Sequence, residues 1–371
     1  MVLSYDKLMD LRVWRKFDFI LVGLALALAL YGIVMIFSAT ESTVDLQLLW
    51  RTQLIRTGLG LVALVVIAAI DYRYYHEMSK FLYIGMIALL VILLLVGELT
   101  SGAQRWLAGG AIQPGELSKL VIIITLAKFL SDHQAELDRF KYVFISVTIA
   151  GLPILLIFLE PDLGTSIIIG FIWLVMVLMA GVRLFHLGLM AGGLVFMSPI
   201  IWFSLQDYMH QRIVLFLNPT SSPDDYYNVQ QALISIGSGG WLGKGFGSGT
   251  QNQLRFLRVR HTDFLFSVIG EELGMLGVMV LFILIVLLLW RIIRAADLAG
   301  DTFGRLMCVG GAAVIFFQSA VNIGVNLGLL PVTGTPLPFV SYGGSSLLTF
   351  FLVLGLVQSV LMRRKRLDFE T

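Results

Sequence analysis

Four stretches gather acids and bases in a chain otherwise poor in both. Arg258-Val259-Arg260-His261-Thr262-Asp263 sets one carboxylate beside two arginines and a histidine. A fixed carboxylate among cations suits a general base working next to an anionic leaving group. Asp263 has a second reading as N-cap of the helix that follows, and the two are compatible, since a cap is rigid and a base must be rigidly placed. Arg105-Trp106 precedes Gln113-Pro114-Gly115-Glu116-Leu117-Ser118-Lys119. Pro114 suits a first helical turn, and Glu116 and Lys119 share a face, as an ion pair or as binding groups. Glu160-Pro161-Asp162-Leu163-Gly164-Thr165 puts two acids at a tight turn, with Asp162 able to cap the next helix. Glu271 and Glu272 follow Asp263 by roughly 12 to 14 Å along a regular helix. Carboxylates that deep in an apolar run each need a partner or a wet cavity.

Other chemistries are excluded. Gly243-Lys244 resembles the end of a phosphate-binding loop, but Ser238 stands where the first glycine belongs and Gly245 where Ser or Thr belongs. The single cysteine, Cys308, lies in an apolar run and reads as a buried small hydrophobe. A formal charge of +2 leaves no basic surface for a run of phosphates, which excludes nucleic acid as a partner.

The elements that must hold these groups are membrane helices. The chain has 371 residues, 58% hydrophobic and 13% charged, with mean hydropathy +0.89, whereas soluble domains carry about a quarter charged residues. A helix needs about 20 apolar residues to cross a bilayer core. Ten such runs are expected, near Phe17 to Phe37, Leu54 to Ile70, Phe81 to Val96, Leu117 to Leu130, Tyr142 to Leu159, Leu163 to Ala180, Phe185 to Leu205, Asp263 to Trp290, Leu306 to Leu330 and Ser346 to Met362. The fold class is therefore all-α and polytopic, one membrane domain over residues 1–371. With the N-terminus inside, inner segments hold sixteen of the twenty-six Lys and Arg, so both termini are expected to be cytoplasmic. One long extracytoplasmic loop, about 206–263, joins the seventh and eighth runs, and its seven glycines from Gly237 to Gly249 permit close backbone approach. Pro331, Pro336 and Pro338, then Ser341-Tyr342-Gly343-Gly344-Ser345-Ser346, mark an irregular segment, which membrane depth tolerates only inside protein or along a cavity. Acids and bases from several outer segments would converge on one cleft, a site for a lipid-linked anionic substrate.

The stretches Gly102-Ala103-Gln104-Arg105-Trp106-Leu107, Glu160 to Thr165, Ile236-Gly237-Ser238-Gly239-Gly240, Gly249-Thr250-Gln251-Asn252-Gln253-Leu254, Arg260-His261-Thr262-Asp263-Phe264, Glu271-Glu272-Leu273-Gly274 and Leu337 to Ser345 occur in this order. By them the chain resembles the SEDS family (shape, elongation, division and sporulation), its rod-shape branch more than its division branch. The resemblance implies a peptidoglycan glycosyltransferase that polymerises lipid II at the outer face of the bacterial cytoplasmic membrane. The family's essential aspartate falls on Asp263 and its polar cleft residues on Arg105, Glu116, Lys119 and Asp162, with Arg260 and His261 as further candidates beside the base. Arg105, Lys119 and Arg260 would hold pyrophosphate, while Glu116 and Asp162 would orient those cations or bind a divalent metal such as Mg or Mn; no tightly bound cofactor is expected. Two departures stand out: Gly115 where the family usually has Ser, and Arg258-Val259 where it has Pro-Glu. The expected partners are a class B penicillin-binding protein, packed on the eighth and ninth runs where Gly310-Gly311 and Gly324 permit close approach, and other elongation-complex proteins. Two alternatives are a lipid II flippase, which needs polar residues through both leaflets, and a non-catalytic scaffold, which needs no aligned base and cations.

Overall fold

The computed structural model describes residues 11–364 apart from 42, 44, 45, 97, 101, 102, 107–112, 206, 219–222, 255, 258 and 259. The helices are α1 (Leu11–Trp14), α2 (Phe19–Thr40), α3 (Leu49–Ala69), α4 (Tyr72–Val96), α5 (Pro114–Asp132), α6 (Phe140–Leu159), α7 (Leu163–Met179), α8 (Leu184–Ser204), α9 (Asp207–Leu217), α10 (Pro223–Gly239), α11 (Thr250–Gln253), α12 (Leu265–Asp297), α13 (Thr302–Asn326) and α14 (Gly344–Met362). Each of the ten apolar runs coincides with a helix. Among the described residues, seven of these are long and apolar enough to cross a membrane: α2, α3, α4, α6, α12, α13 and α14. The chain is a multi-pass helical membrane protein. Two additions qualify the all-α expectation. Strands β1 (Glu98–Thr100) and β2 (Ala103–Trp106) form an antiparallel hairpin. The segment expected as a loop at 206–263 holds three helices, α9, α10 and α11.

Helices α13 and α14 sit at the centre, where α13 packs against α5, α7, α12 and α14, and α14 against α3. This burial corrects one expectation. Gly310 faces Ile123 of α5 and Met176 of α7, Gly311 faces Val353 of α14, and Gly324 faces Leu330. Those glycines bring the bundle's own helices together and present no groove to a partner. Exposed apolar side chains line the outer faces of most helices, and on the eighth run they fall on α12 at Met279, Ile283, Val286 and Trp290.

The described ends of the chain meet, since Lys16 Nζ donates to the Arg364 carbonyl at 3.2 Å. Around that end, Arg291 pairs with Asp18 at 2.7 Å, and Arg363 donates to the last carbonyls of α3 at Ala68 and Ala69, the favourable placement for a cation at a helix C-terminus. The opposite end carries the candidate site.

Candidate active site

The site is built around residues 331–343, which have no regular secondary structure. Carbonyls without helix or sheet partners are costly away from water, and helix side chains supply the donors. Asn322 donates to Thr335 O at 2.8 Å, Gln318 to Pro336 O at 3.0 Å, Gln53 of α3 to Ser341 O at 3.2 Å and Arg212 to Val332 O at 3.0 Å. Phe339 takes φ +64°, a conformation costing about 1–3 kcal/mol in a non-glycine residue, and is held there between Phe350 and Phe351, each ring 5.4 Å away. Gly164, in the first turn of α7, lies so close to Thr333 O and Thr335 that a Cβ would collide.

Asp263 stands in the turn before α12. The cap of that helix is Phe264, with no side-chain bond, so the N-cap reading of Asp263 is corrected. Its own carbonyl is held from α13, accepting from Asn322 at 3.0 Å and from Asn326 at 2.8 Å. A Cβ at Gly334 would lie 4.0 Å from Asp263 Oδ2, which puts the carboxylate beside the irregular segment.

Helix α12 is two helices joined at Gly274, whose φ of +64° and ψ of −160° break the ladder. The glycine tract repairs it: Met275 N donates to Gly240 O, Leu276 N to Trp241 O, Lys244 N to Glu271 O and Gly245 N to Glu272 O, all at 2.9–3.2 Å. Side chains at 239, 243 or 274 would strike the facing backbone within 2.3 Å, which accounts for the glycines. The two deep acids also find their partners here. Lys244 Nζ pairs with Glu271 at 2.8 Å, joined by Thr250 Oγ1 and Gln251 N. Glu272 accepts from Ser38 of α2 and from Gly247 N.

On the other side of the irregular segment, Lys119 pairs with Glu116 at 2.7 Å and donates to Gln318 Oε1 at 2.8 Å. The ammonium is fully buried, inside the bundle and away from an open cleft surface. Asp162 caps α7 through Thr165 N, as its turn chemistry suggests, and also accepts from Thr165 Oγ1 and from Gln113 Nε2 at 3.1 Å. A Cβ at Gly115 would stand 4.0 Å from Asp162 Oδ2, so the serine missing here would bring its side chain up to that acid. Glu116 and Asp162 thus have protein donors, and among the described residues no three His, Cys, Asp or Glu side chains gather as a metal site would require.

These features fall in a chain whose relatives are recognisable. Residues 18–366 match the sequence profile of the FtsW/RodA/SpoVE family, described as cell cycle proteins. The chain belongs to the FtsW/RodA/SpoVE family. It is 39% identical over 347 residues to the peptidoglycan glycosyltransferase MrdB of Escherichia coli K12, covering 92% of this chain and 93% of that one. It is 36% identical to the stage V sporulation protein E of Bacillus subtilis, covering 92% and 96%. Among solved structures it is similar to a chain from work on the coordination of polymerization and crosslinking by a peptidoglycan synthase complex, with TM-score 0.80, 32% identity and coverage of 94% and 99%. It is also similar to the rod shape determining protein RodA of Thermus thermophilus, with TM-score 0.71, 32% identity and coverage of 94% and 98%.

In this FtsW/RodA/SpoVE member, the sequence candidates divide by place. Asp263, Asp162, Glu116 and Lys119 surround the 331–343 segment. Arg260 is 4% exposed and donates to Ala39 O and Thr43 Oγ1 at the end of α2, a brace between helices. His261 is linked to the segment through Tyr342, whose N–H donates to His261 O at 3.0 Å. Burial, and then the Arg260 charge, hold the His261 imidazole below its ordinary 6.5. Arg105 lies in β2 with its side chain outside the described set, and Arg258 and Val259 also lie outside the described residues. Residues not singled out by their sequence context include Gln318, Asn322 and Asn326, and Arg56 of α3, whose guanidinium lies 5.0 Å from the centre of the Tyr342 ring. Polar amides inside an apolar run were the available signal for the first three.

Proposed function

We propose that this chain is a peptidoglycan glycosyltransferase that joins lipid II units at the outer face of the bacterial inner membrane during elongation. Its ten apolar helices would then be ten spans, with both termini cytoplasmic. The carrying observation is Asp263, a carboxylate in a helix-entry turn whose carbonyl is gripped by two buried asparagines. In the reaction, the 4-hydroxyl of the acceptor's GlcNAc attacks the anomeric carbon of the donor's MurNAc with inversion. Asp263 takes the hydroxyl proton, and the bond to the donor's pyrophosphate breaks with its electron pair on the leaving oxygen. Arg105 is the cation we assign to that pyrophosphate. Glu116, Lys119 and Asp162 form the inner wall, and His261, kept neutral by burial, adds no competing charge near the base. Arg260 fixes the turn to α2.

A class B penicillin-binding protein fits as partner, because nothing among these residues supplies a serine nucleophile with a base for crosslinking. The α12 face at Met279, Ile283 and Val286 is the seat we assign to its membrane helix. A flippase is less well supported: the buried acids Glu116, Asp162, Glu271 and Glu272 all belong to the Asp263 end, whereas a path through both leaflets needs polar lining along its length.

The test is polymerisation of labelled lipid II by purified chain and partner, with Asp263→Asn beside the parent. Loss of a general base costs roughly 10²- to 10⁴-fold, so glycan strands should fall at least about a hundredfold at unchanged folding. Because Asp263 does not cap α12, the change removes no cap bond from that helix. Near-normal strands from a well-folded Asp263→Asn protein would remove Asp263 as base.

A further inference from the structure

Helix α13 carries three amides at positions 318, 322 and 326, four residues apart and therefore on one face. All three are buried. Gln318 accepts from Lys119 Nζ and donates to Pro336 O. Asn322 donates at once to Thr335 O and Asp263 O, at 2.8 and 3.0 Å. Asn326 donates to Asp263 O and to Asn322 O, and its oxygen receives Ser267 Oγ at 2.6 Å and Ser267 N at 3.2 Å. Gln318 and Asn322 thus hold two consecutive carbonyls of the irregular segment, Pro336 O and Thr335 O, and through them the stripe joins the buried Lys119 to the Asp263 peptide.

We propose that Asn322 is the positioning residue of Asp263: its amide, shared between Asp263 O and Thr335 O, sets the distance between the turn that carries the carboxylate and the segment that walls it. This rests on the assignment of Asp263 as base. Asn322 has two amide hydrogens and two carbonyl acceptors, so both bonds are met only when the two peptides hold one relative placement. Asn326, tied to Ser267 of α12, also restrains Asp263 from α13 but makes no side-chain bond to the 331–343 segment, so it cannot replace Asn322 in that role. Between the two peptides lies the neighbourhood of Gly334, where the Asp263 carboxylate approaches. With Asn322 replaced by an apolar side chain Asn326 still holds Asp263 O, but the bond that ties this peptide to Thr335 O through one amide is gone, and a displacement of about 1 Å at a reacting group costs on the order of a hundredfold in rate.

The experiment uses the full chain with its transpeptidase partner and four proteins: parent, Asn322→Leu, Asp263→Asn and the double variant. Turnover of lipid II is measured for the first three, and lipid II binding is measured by fluorescence for the two that carry Asp263→Asn. The expected result is a kcat for Asn322→Leu lower by roughly ten- to a hundredfold at unchanged KM. Equal lipid II affinity is expected in Asp263→Asn with and without Asn322→Leu. A kcat near the parent's overturns the proposal and leaves the base standing, provided Asp263→Asn is inactive. Weaker lipid II binding in the double variant also overturns it, since Asn322 then shapes the cleft at large. Normal turnover by Asp263→Asn overturns the base and the proposal together. If Asn322→Leu does not fold, Asn322→Ser, which keeps one donor on a shorter arm, takes its place under the same outcomes.

Discussion

Replacing Lys119 by Met separates an internal brace from a substrate-binding cation. The ammonium is fully buried and Glu116 nearly so, with side-chain exposures of 0% and 4%, so solvent does little to screen the pair. Lys119 Nζ has three protons, and Glu116 and Gln318 engage it at 2.7 and 2.8 Å. Removing one partner of such a buried pair costs about 3–5 kcal/mol, because the other charge is left uncompensated. The Gln318 oxygen loses its donor in both variants, so they differ at 116, where Glu116→Gln, Lys119→Met leaves a neutral unpaired amide, at about 1–3 kcal/mol, in place of the stranded charge. The double variant should therefore be more stable than the single one by about 2 kcal/mol. Cys308 supplies the assay: it is the only cysteine in the chain and is wholly buried, so a thiol-reactive dye reports unfolding of the chain alone in detergent. Parent-like stability of Lys119→Met would refute the argument, as would equal loss in single and double variants. Lipid II turnover by the folded double variant then decides the second question: retained turnover removes the Lys119 charge from the substrate's surroundings, and lost turnover restores it.

Further outcomes follow from other contacts. Gly274→Ala places a Cβ 2.3 Å from Gly243 N at a φ of +64°, so it should destabilise the chain by more than about 1 kcal/mol, seen as a lower dye-unfolding midpoint; an unchanged midpoint would contradict the packing of the glycine tract on the α12 break. The His261 imidazole titrates below its ordinary 6.5 in the folded chain, so the unfolded chain binds the proton first. The stability its neutral form contributes is complete above 6.5 and is lost as pH falls from there through the folded value. The midpoint of His261→Gln should accordingly fall less between pH 7.5 and about 5.5 than the parent's, and parallel curves would contradict that. A photo-crosslinker at Ile283 or Val286 should capture the transpeptidase partner, while one at Phe196 on α8, also exposed, should not; the reverse pattern would move the interface.

The spans were legible because a membrane helix must be apolar for about 20 residues, and few other local pressures compete with that pattern. Asp162 as a cap and Glu116 with Lys119 as a pair were legible because both depend on local spacings of three residues. The helices inside 206–263 were hidden by the loop's polarity, although Pro223-Asp224-Asp225 is a helix-start signature at the first residue of α10. Arg260 misled because one-dimensional proximity to Asp263 says nothing of direction, and its guanidinium reaches 221 residues back along the chain to Ala39. Gly310 and Gly311 misled similarly, since close approach by a helix of the same chain uses the same small residues as close approach by a partner.

The least legible feature, the polar face of α13, connects the membrane's demands to the site's precision. Residues 331–343 have no ladder of their own and few backbone bonds among themselves, such as Val340 N and Ser341 N to Leu337 O, so in a low-dielectric setting their other carbonyls need donors from elsewhere. Gln53, Gln318 and Asn322 provide donors at fixed points, on helices α3 and α13 that are themselves held by the core. The bonds that make irregular backbone tolerable there also remove its freedom to move, and Asn322 extends that constraint to Asp263 with the second hydrogen of the same amide. An apolar replacement at 322 therefore strips a donor from two buried carbonyls at once, whereas one at 318 strips a carbonyl and the Lys119 ammonium. Solvation and positioning are in this sense one requirement on α13, met by three side chains that an apolar-run search passes over as part of a span.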